Sequence, residues 1–115
     1  MRIKSASYSM NESDFEARAS ATLSALERAL ENCGEELDFE LKAGGIVELE
    51  FDDGSKIIVN RHTAAREIWV AARAGGFHFR WDGAAWRDTR NATELFAALS
   101  ELISAQLGRR VRLLG

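Results

Sequence analysis

The stretch GGIVELEFDDGSKIIVN, residues 44–60, marks the point where the chain's period changes from helical to extended. Val47, Leu49 and Phe51 alternate with Glu48, Glu50 and Asp52, which sends apolar side chains to one side of a strand and carboxylates to the other. Asp53-Gly54 then supplies a strong hairpin signal and leads into Lys56-Ile57-Ile58-Val59-Asn60. Upstream, Gly44-Gly45 joins this hairpin to a second alternation, Leu37, Phe39 and Leu41 against Asp38, Glu40 and Lys42. Downstream, a strand is predicted from about Glu67 to Arg73. Gly75-Gly76 turns it into Phe77–Trp81, and Asp82-Gly83 turns again toward a short strand at Trp86-Arg87.

Helical spacing brackets this run of strands. Ser13-Asp14-Phe15-Glu16 reads as a capping box, followed by Phe15, Ala19, Leu23, Leu26 and Leu30 at three- and four-residue intervals. A first helix is therefore expected from about 14 to 32, with Gly34 a left-handed stop. Asn91-Ala92-Thr93-Glu94 offers a second cap, after which Leu95, Leu99, Leu102, Ile103 and Leu107 mark a helix ending at Gly108. The remaining basic–apolar tail, Arg109 to Leu114, is placed along that helix.

The order is one helix, five or six strands joined by short turns, and one helix. Short connections make the sheet antiparallel, and two terminal helices cover one of its faces. The expectation is an α+β two-layer sandwich, one domain over residues 10–115, with residues 1–9 a flexible lead-in. A chain of 115 residues with 46% hydrophobic and 29% charged content can bury a single core without staples. The lone Cys33 excludes an internal disulfide and fits a reducing compartment. No apolar run approaches the roughly 18 residues of a membrane span, and MRIKSASYS lacks the apolar core of a signal peptide. A cytoplasmic protein without a membrane partner is expected, so the glycosylation patterns at Asn11 and Asn91 are discounted.

Charge is distributed unevenly. Residues 1–54 carry 13 acids against 5 bases, and the remainder carries 5 against 10. An acidic end suits a basic partner or hard cations with oxygen ligands, and it disfavours nucleic acid. Hydrolase, Walker and dinucleotide fingerprints are absent, and the glycines occur in turn pairs. Cys33, His62 and His78 read as structural or surface residues rather than catalytic ones. Glu27 and Glu31 share a helical face, Asp38 and Glu40 share the outward side of the next strand, and Glu35 and Glu36 lie between. These six form a predicted ridge at the helix–strand edge, able to bind Fe²⁺, Fe³⁺, Mn²⁺ or Ca²⁺ weakly. Glu48, Glu50 and Asp52 are assigned separately to the uncovered sheet face. Trp69 alternates with Ile68 and Val70, and periodicity alone leaves open which of them faces outward.

Met10–Phe15, GGIVELEFDDGSKIIVNR (44–61), IWVAARAGGFHF (68–79) and the Trp86 strand resemble the bacterial frataxin family over roughly residues 10 to 114. The resemblance implies a helix–sheet–helix fold acting in iron–sulfur cluster assembly. It implies weak iron binding on an acidic ridge, here Glu27, Glu31, Glu35, Glu36, Asp38 and Glu40. It also implies docking on cysteine desulfurase and its scaffold protein, where the bacterial form acts as a regulator that slows assembly. The family's exposed sheet Trp maps onto Trp69 with Asn60 beside it, which sets Trp69 outward; Glu48 and Glu50 join them as candidate partner contacts. The chain departs from the family at His62 and Ala64, at Glu67 in place of a Gln, and at Asn32-Cys33-Gly34 in place of carboxylates. A non-enzymatic, monomeric adaptor is the favoured expectation. The alternatives are a ferroxidase, and an iron donor or store that oligomerises with excess iron.

Overall fold

The computed structural model describes residues 10–114. The expected flexible lead-in at residues 1–9 lies outside the described residues. The element order is α1 (Glu12–Glu31), β1 (Asp38–Lys42), β2 (Ile46–Glu50), β3 (Lys56–His62), β4 (Glu67–Ala72), β5 (Gly75–Trp81), β6 (Trp86–Asp88) and α2 (Leu95–Leu107). The six strands form one antiparallel sheet in sequence order, β1 to β6, and both helices pack on one face of it.

α1 begins two residues earlier than the Ser13 capping box predicts. The Asn11 side chain accepts from the backbone N–H of Asp14 at 2.8 Å, while Glu12 and Asp14 place negative charge at the positive end of the helix. Glu16 does not reach back to a cap. Its carboxylate is used across the fold, accepting from the Thr63 hydroxyl at 2.6 Å and pairing with Arg61 at 2.9 Å. Glu94 rather than Asn91 caps α2, accepting from the N–H groups of Phe96 and Ala97. Gly108 closes that helix at φ +84°, a backbone region costly for any residue with a Cβ.

The core lies between the helices and the sheet. Phe15, Ala19, Leu26 and Leu30 of α1 and Leu95, Leu99 and Ile103 of α2 meet Val47, Leu49, Ile57, Val59, Ile68, Val70 and Phe79. The alternation around residues 44–60 therefore has its expected sense. Phe15 packs edge-on against Trp86 at 6.0 Å between centroids, and the Trp86 indole donates to the Thr22 hydroxyl at 2.8 Å. The tail follows α2 as expected, with Val111 and Leu113 buried. Ser104 and Ser100 accept from the backbone N–H groups of Val111 and Leu113 at 2.8 and 2.9 Å.

One core expectation fails. Leu41, predicted to face the helices from β1, stays 50% exposed. β1 is an edge strand, and the groove of about 290 Å³ beside Leu41 is bordered by Ser20 and Ser24 of α1, whose short side chains do not fill it.

Candidate acidic edge and tryptophan face

Register decides where each carboxylate stands. β1 pairs with β2 so that Asp38 lies opposite Glu50, Glu40 opposite Glu48, and Lys42 opposite Ile46. β2 in turn pairs Glu48 with Ile58 and Ile46 with Asn60, and β3 pairs Asn60 with Trp69. Directly paired residues share a face, so Asp38, Glu40, Glu48, Glu50, Asn60 and Trp69 all stand on the uncovered face. Ile68 and Val70 are buried under the helices, which fixes Trp69 outward.

This corrects the predicted division of the acidic stretch. The linear pattern groups Asp38 and Glu40 with Glu27 and Glu31 in a helix–strand ridge and sets Glu48 and Glu50 apart on the sheet face. The register joins Asp38 and Glu40 to Glu50 and Glu48, because directly paired residues of neighbouring strands share a face. Glu27 lines the groove on the other side of β1, near Leu41 and Lys42, and Glu31 is the last residue of α1. A cleft of about 270 Å³ at this corner is lined by Glu36, Asp38, Glu50, Asp52 and Asp53, with Arg109 its one base. The acidic site thus wraps the β1 edge, and its densest part spans two segments that the linear sequence keeps apart.

Not all of these carboxylates are free. Glu35 accepts from Arg109 at 2.7 Å, and this hydrogen bond holds its carboxyl below the ordinary range. Glu48 bridges Lys42 at 2.9 Å and Lys56 at 3.0 Å, and hydrogen bonds from the two ammonium groups hold it low as well. The bridge offsets the like-charge contact with Glu40. Asp53 is held down to about 2 by the hydroxyl and backbone N–H of Ser55, aided by Arg73 at 2.7 Å. Its role is structural: Gly54, at φ +85°, completes the turn by donating to the Phe51 carbonyl.

Among the described residues, no three His, Cys, Asp or Glu side chains converge closely enough to chelate a metal. The available donors at the acidic edge are carboxylate oxygens. That set fits hard or borderline cations held through part of their water shell, and it does not fit a tight nitrogen–sulfur site.

The Trp69 face contains residues that the linear pattern treated as bland. His62 and His78 stack on opposite sides of the indole, at 3.7 and 4.5 Å between centroids and with the rings within 13° of parallel. The signal was present in the alternation, since pairing Trp69 with His78 puts both on one face, but the stack requires the register of three strands. Asn60, in the same row, donates to the carbonyl of its neighbour Arg61. Cys33 is half-buried near the end of α1, its thiol donating to the Leu30 carbonyl at 3.3 Å.

Comparisons with known proteins agree with this architecture. A model of the frataxin-like domain matches residues 8–109. The iron–sulfur cluster assembly protein CyaY of Dechloromonas aromatica is 60% identical over 102 residues, covering 89% of this chain and 97% of that protein. The protein of the same name from Paraburkholderia phymatum is 46% identical over 104 residues, covering 90% and 98%. Among solved structures, frataxin from Psychromonas ingrahamii superposes with a TM-score of 0.83 at 27% identity, over 92% of this chain and 100% of that one. A trimeric yeast frataxin described as complexed with ferrous shares the fold, with a TM-score of 0.54 at 22% identity over 95% and 94% of the two chains. With its helices on one face of a six-stranded sheet, and a family match across nearly all of its length, the chain belongs to the frataxin family.

Proposed function

We propose that the protein is an iron-binding adaptor that regulates iron–sulfur cluster assembly. In this reading it presents the acidic β1 edge to a basic surface of the cysteine desulfurase complex, and turns the Trp69 face toward the scaffold protein. The observation that carries the reading is the wrapped acidic edge, where Asp38 and Glu50 oppose each other beside a carboxylate-lined cleft. A folded protein keeps like charges this close at a cost in stability, which a cationic partner or metal ion relieves. Similarity to proteins named for iron–sulfur cluster assembly supports the pathway in this reading. Fe²⁺ and Fe³⁺ are weak ligands of the same edge, bound by carboxylates with retained water.

Exposed charges are screened beyond about 10 Å at 0.1 M salt, so association with the desulfurase is expected to weaken steeply with ionic strength. Changing Glu27, Glu31 and Asp38 together to Lys tests the reading. All three lie at the edge of the fold, and the triple variant should remain folded and lose desulfurase binding. Normal binding by a folded triple variant would contradict the proposal.

A further inference from the structure

Glu67 sits on the solvent side of β4 yet is only 5% exposed. A carboxylate removed from water to this degree is costly unless donors surround it. Three groups do so. The Trp69 indole N–H donates to Oε1 at 2.8 Å, the Arg80 guanidinium pairs with Oε2, and His78 Nδ1 lies 3.4 Å from Oε1. The register places Glu67 between His62 and Arg80 in one cross-strand row and sets Trp69 beside His78 in the next. The indole therefore has both faces covered by imidazoles and its N–H engaged by a fixed carboxylate.

We propose that Glu67 is the positioning residue of the Trp69 docking surface: it holds the indole in one orientation and cancels the charge of Arg80 beside it. This rests on Trp69 being a partner contact, as proposed above. An indole held in this way offers its outer rim rather than a ring face. The segment that fits is an apolar side chain packed against the rim, not an aromatic ring stacked over it. Holding the indole before contact also reduces the rotamer freedom lost on docking. The charge consequence is separate. Arg80 is well exposed (62% of its side chain) and is neutralised by Glu67, so the patch favours a neutral apolar segment over an acidic one. A Gln in this position keeps an acceptor for the indole but leaves Arg80 unbalanced, so the two effects can be separated.

The test uses the full chain at pH 7 and reads hydrogen exchange at the indole N–H, with signals assigned through Trp69→Phe, Trp81→Phe and Trp86→Phe. Glu67→Ala should speed exchange at Trp69 by about tenfold, the equivalent of losing one charge-assisted hydrogen bond. Exchange at Trp86, bonded to Thr22, should not change. Glu67→Gln should keep Trp69 exchange within about threefold of the starting protein. Titrations with purified scaffold protein should show Glu67→Ala weakening association about fivefold or more, and Glu67→Gln, which keeps the indole acceptor but leaves Arg80 charged against a neutral segment, weakening it less. Unchanged exchange at Trp69 in Glu67→Ala overturns the proposal, as does wild-type scaffold affinity in that variant. Normal scaffold binding by Trp69→Ala would instead refute the docking reading, while the exchange result would still report on the Glu67 contact.

Discussion

Asp38 of β1 and Glu50 of β2 stand directly opposite each other, two carboxylates on one face of the sheet, with Lys56 of β3 next in the row beyond Glu50 but bonded to Glu48. One row away, Glu40 and Glu48 repeat the arrangement, but there Lys42 and Lys56 close on Glu48. The contrast separates a carboxylate committed to structure from a pair left available to a cation. Neutralising Asp38, the member of the pair with no lysine opposite it, should therefore stabilise the fold. We expect Asp38→Asn to raise stability by about 0.5 kcal/mol in low salt without metal, the scale of a cross-strand like-charge contact, whereas Glu50→Gln also gives up the attraction to Lys56 and should gain less. Thermal melts at 20 mM and 500 mM salt check this, because screening should erase the gain. A loss of stability in Asp38→Asn would mean the pair is not repulsive.

Acid should expose the part played by Asp53. Its carboxyl is held down to about 2 in the folded protein, against an ordinary value near 4 in the unfolded chain. A depressed folded value gives stability that is fully present above about pH 4 and is lost as pH falls toward 2. Asp53→Asn keeps a turn-compatible residue before Gly54 and removes that contribution. The variant should match the parent's pH dependence less closely between pH 4 and 2, with a shallower acid destabilisation there, in chemical denaturation at a series of pH values. Parallel curves across the window would remove Asp53 from the account.

Anchoring of the tail depends on buried Ser100. It donates to the Phe96 carbonyl at 2.8 Å and accepts from the Leu113 N–H at 2.9 Å. Ser100→Ala leaves a buried N–H without a partner, at a cost of about 1–3 kcal/mol. Urea unfolding should record that loss, and amide exchange at Leu113 should rise more than at Leu99.

At the other end, Asn11→Ala should cost about 1 kcal/mol by removing the acceptor for the Asp14 N–H. Ser13→Ala should cost less, since Asn11 and not Ser13 occupies the cap position. The reverse order in thermal melts would restore the capping box read from the sequence.

Much of the fold is legible because local rules and packing agree. Val47, Leu49 and Phe51 alternate with acids and are buried, and Asp53-Gly54 turns the chain where expected. The site was harder to read. That Asp38 meets Glu50 depends on how the Lys42–Ile46 connection sets register, and a one-residue slip would have sent Asp38 to the opposite face. Glu67 stands out in the sequence only as a Glu where the family has a Gln, and its burial appears only when donors from β4 and β5 converge on it. His62 and His78 were bland for the same reason: each is near Trp69 through pairing rather than through sequence. Leu41 misled in the other direction, because alternation predicts a side of the sheet and not whether a helix reaches far enough to cover it.

Iron and desulfurase, if both use the acidic edge, must compete, and linkage requires each to weaken the other by the same factor. The most direct measurement is the affinity of the purified protein for the cysteine desulfurase, determined by calorimetry under anaerobic conditions with and without Fe²⁺ sufficient to occupy the edge. The account predicts a several-fold weaker association with Fe²⁺ present. Equal affinities with and without Fe²⁺ in the parent protein would contradict a shared site.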